Sequence, residues 1–152
     1  MTVKRLLLSL LIVLLIALSH GTLLAGSNAD EAKTMVEKAV IYYQDNGREK
    51  ALQEFNTPGN QFVKGDLYVF AYDMNATIIA HPVNKKLVGI NFMETPDVDG
   101  KLFRKEIVEL AKKKGTGWVD YKYKNPASGK IELKTTYVKR AGDVVICCGA
   151  YK

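Results

Sequence analysis

The stretch L-Y-V-F-A-Y-D-M-N-A-T-I-I-A, residues 67–80, decides the fold class of this 152-residue chain. Both of its ends are rich in aromatic and β-branched residues, and D-M-N-A between them has the composition of a tight turn. Two such runs around a short turn predict a β-hairpin. Tyr68, Phe70 and Tyr72 alternate, so they share one face of the first strand. The fold therefore contains an antiparallel sheet.

Three more strands are predicted after the hairpin, at about 117–123, 130–139 and 143–151. These segments are again aromatic and β-branched, and the turns N-P-A-S-G and A-G-D join them. Hairpin connections between successive strands indicate that the sheet is antiparallel and has five strands.

Helices are predicted where apolar residues recur at spacings of three and four, at 30–44 and 101–114, with a short one near 51–55. Gly115 is the expected stop of the 101–114 helix. The length suits one domain. The fold class is therefore α+β: a PAS-like five-stranded antiparallel sheet, with a long N-terminal helix on one face and the helix-and-loop insertion 81–114 covering the ligand face.

The N-terminus has the pattern of a secretory signal peptide. Lys4 and Arg5 precede an apolar run of about 13 residues, which is shorter than a membrane span. We expect residues 1–25 to be the signal peptide and residues 26–152 to be a periplasmic or secreted domain. The alternative is an uncleaved anchor over residues 6–25, in which case the domain is held at a membrane.

Charge and motifs exclude several function classes. The formal net charge of +6 falls to +4 without residues 1–25, and Lys112, Lys113 and Lys114 fit a solvated helix end better than a nucleic-acid patch. No nucleic-acid-binding signature occurs. The sequence also lacks G-x-S-x-G, H-E-x-x-H and a P-loop, so we expect no enzyme activity. D-V-D-G at 97–100 lacks the following Glu of an EF-hand loop.

The two cysteines, Cys147 and Cys148, are adjacent. With His20 and His81 they cannot form a zinc site of known spacing, and C-x-x-C-H is absent. Neighbouring strand residues point to opposite faces, so two packed free thiols are expected, with a strained vicinal disulfide as the alternative. We expect no cofactor and no metal.

A set of motifs in fixed order resembles the single Cache domain family, type 2. The motifs are Y-V-F-A-Y-D at 68–73, A-H-P at 80–82, G-x-N at 89–91, D-G-K-x-F at 99–103, G-x-G-W-V-D-Y at 115–121, N-P-A-S-G-K at 125–130, K-T-T-Y-V at 134–138 and C-G-A-Y at 148–151.

The resemblance implies an extracytoplasmic sensor module of the kind found in bacterial chemoreceptors and histidine kinases. The chain resembles a free-standing exported version, a monomer or weak dimer that would signal through a partner such as a membrane receptor or histidine kinase. The implied ligand is a short organic carboxylate of the acetate, propionate, pyruvate or lactate type.

The implied donors to a carboxylate are Lys134, Tyr137 and His81, because a buried carboxylate needs charge-assisted hydrogen bonds. A mid-strand lysine points either to solvent or to an anion. Lys134 and Tyr137 are three residues apart, so both reach one ligand only across a bulge or strong twist. The expected aromatic walls are Trp118 and Tyr121, with Tyr68, Phe70 and Tyr72 on the first strand.

His81 has two further interpretations. It precedes Pro82 at the end of the second strand, where a structural role is common for a single histidine. The alternative function for the whole chain is a haem-binding or redox sensor on the same scaffold, with His81 as axial ligand and Cys147 or Cys148 as the redox element.

Overall fold

Two consecutive helices form the N-terminal layer. In the structure, a computed structural model that describes residues 28–152, α1 spans Asn28–Asn46 and α2 spans Arg48–Phe55. Gly47 separates them with a φ of 80°, which glycine adopts without strain. The predicted signal peptide lies outside the described residues. Within residues 28–152, no helix has both the length and the apolar character needed to cross a bilayer.

The sheet is antiparallel, as predicted, and has six strands. Its strand order is β1-β2-β6-β5-β4, with β3 also paired to β2. The sixth strand is the two-residue β1, which is too short to produce a recognisable period of two. The strands are β1 Val63–Lys64, β2 Leu67–Asp73, β3 Ile78–Ala80, β4 Thr116–Lys124, β5 Ile131–Ala141 and β6 Val144–Tyr151.

The two faces of the sheet carry two separate cores. On one face α1 and α2 pack against the odd-numbered positions of β2 and the even-numbered positions of β6, including Val69 and Ile146. On the other face the helix α3, Phe103–Lys114, packs against Tyr72 and Val119. α3 ends, as predicted, at Gly115 in the left-handed conformation. The strand period of two thus divides the sheet into two faces. The face under α1 and α2 carries the α1-side core, and the face under α3 and the insertion carries the α3-side core.

The loop between β3 and α3 is fastened to β4 by one carboxylate. Asp97 Oδ1 accepts hydrogen bonds from the backbone N–H groups of Asp99 and Lys101, and Oδ2 accepts one from Lys122 N–H at 3.0 Å. Asp99 pairs with the Lys122 ammonium at 2.9 Å. The D-V-D-G segment is thus a closed turn that holds the insertion over the sheet.

Phe55→Ala should lower the free energy of unfolding by about 3 to 5 kcal/mol, because it leaves a cavity beneath α2. Phe55 is fully buried, and its ring centroid lies 5.2 Å from that of Phe62. Ile41→Ala is the matched control on α1, where Ile41 is 56% exposed. Denaturant unfolding measures both, and equal losses would contradict this account of the α1-side core.

Candidate functional site

Lys134 is a fully buried lysine on the α3-side face of β5. It is 1% exposed, and its Nζ lies 3.2 Å from Tyr68 Oη and 3.5 Å from Tyr151 Oη. The same nitrogen lies 4.6 Å from the ring centroids of both tyrosines, within cation–π range. Burial lowers the pKa of Lys134 to about 8, and the negative charge of Asp66 opposes part of this shift. The side chain is still mainly protonated at pH 7.

The Lys134 ammonium points into a small cavity between β2, β4, β5 and α3. The cavity volume is about 10 Å³, room for about one water molecule. Among residues 28–152, no carboxylate lines it, and neither of its two cations, Lys134 and Arg104, forms an ion pair with a described carboxylate. Its lining side chains are Tyr68, Phe70, Tyr72, Ile78, His81, Phe103, Arg104, Tyr121, Tyr123 and Lys134.

Arg104 is the second buried cation of the cavity, and the sequence analysis missed it. It is 6% exposed, and its guanidinium carbon lies 4.1 Å from the ring centroid of Phe103 and 4.6 Å from that of Phe92. Nη1 makes one long hydrogen bond of 3.4 Å to the carbonyl of Thr95, while the buried Nε has no partner within the described part of the chain. The guanidinium therefore keeps unused donor capacity.

His81 is held as a neutral donor beside Lys134. Its Nδ1 accepts a hydrogen bond from the backbone N–H of Asn84 at 3.0 Å. The proton of the neutral ring is therefore on Nε2. Burial, and secondly the positive charge of Lys134, lowers the pKa of His81 to about 4. The centroid of the His81 ring lies 5.1 Å from that of Tyr68. Both residues were expected in the site from the sequence, and both line this cavity.

The cavity walls are mainly aromatic side chains in close contact with one another. Tyr121 stacks on Phe103 with a centroid distance of 3.8 Å, and its hydroxyl is 2.9 Å from Thr136 Oγ1. Burial raises the pKa values of Tyr68, Tyr72 and Tyr121 well above that of free tyrosine. These phenols stay protonated at neutral pH and so remain hydrogen-bond donors.

Tyr137 and Trp118 lie on the opposite face of the sheet, which corrects their expected place beside Lys134. The strands β4 and β5 pair without a bulge, with Trp118 opposite Tyr137 and Tyr121 opposite Lys134. Tyr137 Oη bonds Thr116 Oγ1 at 2.9 Å, and its ring packs in the α1-side core. Trp118 is 41% exposed. Neither residue lines the cavity; the other six predicted residues do.

A second, more open groove adjoins the cavity. Its volume is about 310 Å³, and Tyr68, His81 and Tyr123 line both spaces. The outer walls are formed by the segment after β3, including Val83 and Leu87, by Lys124 at the end of β4 and by Pro126 just beyond it. The three shared side chains thus separate the buried cations from solvent.

Cys147 and Cys148 are free buried thiols on opposite faces, as the strand geometry predicted. Cys148 Sγ lies 3.8 Å from Met35 Sδ on α1, away from the cavity. Burial raises the pKa of Cys148 to about 12, so the thiolate is disfavoured. Neither cavity beside His81 would enclose a porphyrin, and we do not propose haem binding.

Fold and site together define a PAS-like α+β domain: an antiparallel sheet that holds a small aromatic-walled cavity with two buried cations beneath a helix-and-loop insertion. The family model for single Cache domain 2 matches residues 26–152, and the chain belongs to this family. Single Cache domains are extracytoplasmic ligand-binding modules of chemoreceptors and sensor kinases, with no known enzymatic role.

Two curated relatives are signalling receptors. The chain is 30% identical over 114 residues to the sensor histidine kinase MctS of Rhizobium johnstonii. This aligned region covers 75% of this chain and 21% of the kinase. It is 31% identical over 74 residues to the methyl-accepting chemotaxis protein McpP of Pseudomonas putida, covering 49% of this chain and 14% of that receptor. The matched region is therefore a small part of each relative.

Solved structures share the fold. A Cache chemosensory domain described for its carboxylic acid recognition superposes with a TM-score of 0.69 at 26% identity, over 81% of this chain and 92% of that one. A periplasmic sensor domain of a chemotaxis protein superposes with a TM-score of 0.63 at 24% identity, over 80% and 88% of the two chains. Both superpositions therefore extend over about four-fifths of this chain.

The stability of the folded domain should fall as the pH drops from about 6.5 to 4. In this window the unfolded chain protonates His81 while the folded protein does not, which costs up to about 3 kcal/mol of folding stability. Denaturant unfolding across pH 4 to 7 measures it. The control His81→Asn keeps an acceptor for the Asn84 N–H but cannot titrate. An identical pH dependence in parent and variant would contradict the lowered His81 pKa.

Proposed function

We propose that this chain is an extracytoplasmic binding module for a short organic carboxylate. The observation that carries the proposal is the pair of buried cations, Lys134 and Arg104, around a cavity that no carboxylate of residues 28–152 lines. Burying one unpaired charge is costly, and burying two is more so. An anion that enters the cavity would offset this cost, and a carboxylate matches the donor geometry of both groups.

The donor set supports a carboxylate more than a neutral ligand. Lys134 supplies a charged donor, the neutral imidazole of His81 supplies Nε2–H, and the protonated phenol of Tyr68 supplies a hydroxyl. Arg104 adds an unused Nε–H. A carboxylate has two oxygens that can accept from all of these groups, whereas a neutral alcohol or amide would leave the charges unbalanced.

The size of the cavity supports a ligand with few carbon atoms. The inner space of about 10 Å³ means that a carboxylate must displace the phenol oxygens of Tyr68 and Tyr151 from Lys134. The adjoining groove of about 310 Å³ offers an entry route past Tyr68 and His81. Acetate, propionate, pyruvate and lactate, the acids that the resemblance to the single Cache family implies, are the candidate ligands, and catalysis is not part of the proposal.

Signal output would come from a partner. The relatives are a sensor histidine kinase and a chemotaxis receptor, so a membrane receptor or kinase is the proposed partner class. Export by the N-terminal segment would place the domain in the periplasm or outside the cell, where small nutrients are met. The binding step itself would be a property of residues 28–152.

A thermal-shift screen with the four acids tests the proposal. A ligand at 100 times its dissociation constant should stabilise the protein by about 2.7 kcal/mol. Lys134→Met keeps the length of the aliphatic stem but removes the charge, and should weaken binding at least thirtyfold, the equivalent of about 2 kcal/mol. Arg104→Gln should also weaken binding.

Trp118→Phe is the matched control for that screen. Trp118 lies on the other face of the sheet, so this variant should show the same acid-dependent shift as the parent. The proposal fails if no acid shifts the parent. The assigned site fails if Lys134→Met responds like the parent or if Trp118→Phe loses the response.

Carboxylate affinity should decrease as the pH rises above about 8. Burial lowers the pKa of Lys134 to about 8, so above that pH the neutral amine predominates and the attraction for a carboxylate is lost. Affinity should fall up to tenfold per pH unit, with proton uptake on binding near pH 8. Titration calorimetry in buffers of different ionisation enthalpy measures both. A constant affinity from pH 7 to 9.5 would contradict Lys134 as the anchor.

A further inference from the structure

Gly149 lies in the middle of β6, directly opposite Thr136 of β5. It is absent from the glycines with positive φ, so its backbone conformation is one that other residues adopt. A glycine within a strand weakens the strand and often marks a close approach by another group. The reason for glycine here must therefore lie in the space above its Cα.

Two side chains of β5 fill that space. A Cβ atom built on Gly149 would overlap Cε of Lys134 and Oγ1 of Thr136. The stem of Lys134 therefore crosses β6 at the one position where β6 has no side chain. The other described strand glycine, Gly117 on β4, faces Leu110 instead and lies outside the cavity.

We propose that Gly149 is a positioning residue, whose missing side chain seats the stem of Lys134 and thereby fixes the ammonium inside the cavity. The ligand-binding part of this inference rests on the proposed function; the seating of Lys134 does not. Thr136 Oγ1 is bonded to Tyr121 Oη at 2.9 Å, whereas the end of Lys134 is a flexible chain. A methyl group at position 149 would thus be accommodated mainly by movement of Lys134.

Displacing the stem changes the surroundings of the ammonium. In the parent, Lys134 Nζ contacts the phenol oxygens of Tyr68 and Tyr151. The titratable and charged groups around it are Asp66, His81, Arg104, Cys147, Cys148 and the phenols of Tyr68, Tyr121, Tyr123 and Tyr151. Desolvation is the largest cause of its lowered pKa, so an ammonium moved toward water should regain a higher pKa.

The first test uses Gly149→Ala in the full chain and needs no ligand. Lysine side chains labelled with ¹³C at Cε are titrated by NMR, and the Lys134 signal is assigned by its loss in Lys134→Met. In the parent, the Lys134 signal should titrate near pH 8. In Gly149→Ala this lysine should titrate at least one pH unit higher, while the protein remains folded.

Thr136→Ala identifies which overlap matters. If the stem of Lys134 is the group displaced, Gly149→Ala combined with Thr136→Ala should keep the raised titration point, and Thr136→Ala alone should titrate like the parent. A return of the double variant to the parent value would assign the effect to Thr136 and overturn the inference. An unchanged titration point in Gly149→Ala would overturn it as well.

The second test measures affinity for acetate at pH 7 by calorimetry. Gly149→Ala should bind acetate at least tenfold more weakly than the parent, and unchanged affinity would contradict the positioning role. A parent that binds none of the four acids defeats the proposed function only, because the NMR titration still decides whether Gly149 seats Lys134.

Discussion

The buried ammonium of Lys134 is the constraint on which the site depends. Its stem lies over Gly149, and its charge is surrounded by aromatic rings and phenol oxygens instead of a carboxylate. Cation–π contacts and neutral hydrogen bonds only partly replace the lost hydration, which is why the lysine pKa falls. The domain thus keeps a buried charge that an anion would stabilise, and this is the feature on which the proposed carboxylate site rests.

The period of two in the strands separates this site from the structural core. On β6, Cys147 belongs to the α3-side core, which contains the cavity, while Cys148 packs against Met35 of α1. β2 shows the same division, with Tyr68, Phe70 and Tyr72 on the cavity side. Side chains of β2, β5 and β6 pack on both faces of the sheet. The backbone of these strands therefore lies directly between the α1-side core and the cavity, with no loop between them. Close packing on both faces restricts how far any of these strands can move alone.

Much of the fold could be predicted from periodicity, and the site could be predicted in part. Helical spacing and strand alternation located every described α-helix and every strand except β1, whose two residues contain no period; the three-residue 3-10 helix Lys85–Leu87 was also missed. Lys134 stood out as a mid-strand charge, and the family resemblance favoured an anion over solvent as its partner. Arg104 did not, because R-K-E at the start of α3 looks like the polar face of an amphipathic helix. Its burial arises from the insertion folding Phe92 and Thr95 over it, a contact that no local pattern contains.

The alternation of side chains along a strand also explains why Tyr121 lines the cavity and Trp118 does not, although both were expected to be wall residues. Tyr137 lies three positions after Lys134 on β5, and Tyr121 lies three positions after Trp118 on β4. An odd spacing places the two members of each pair on opposite faces of the sheet. Once Lys134 is placed in the cavity, the antiparallel register puts Tyr121 beside it and sends Trp118 and Tyr137 to the other side. The same rule places Gly149 and Tyr151 of β6 on the Lys134 side, where one leaves room for the stem and the other contacts the ammonium. A single choice of face for Lys134 therefore fixes which residues of three strands can reach a ligand.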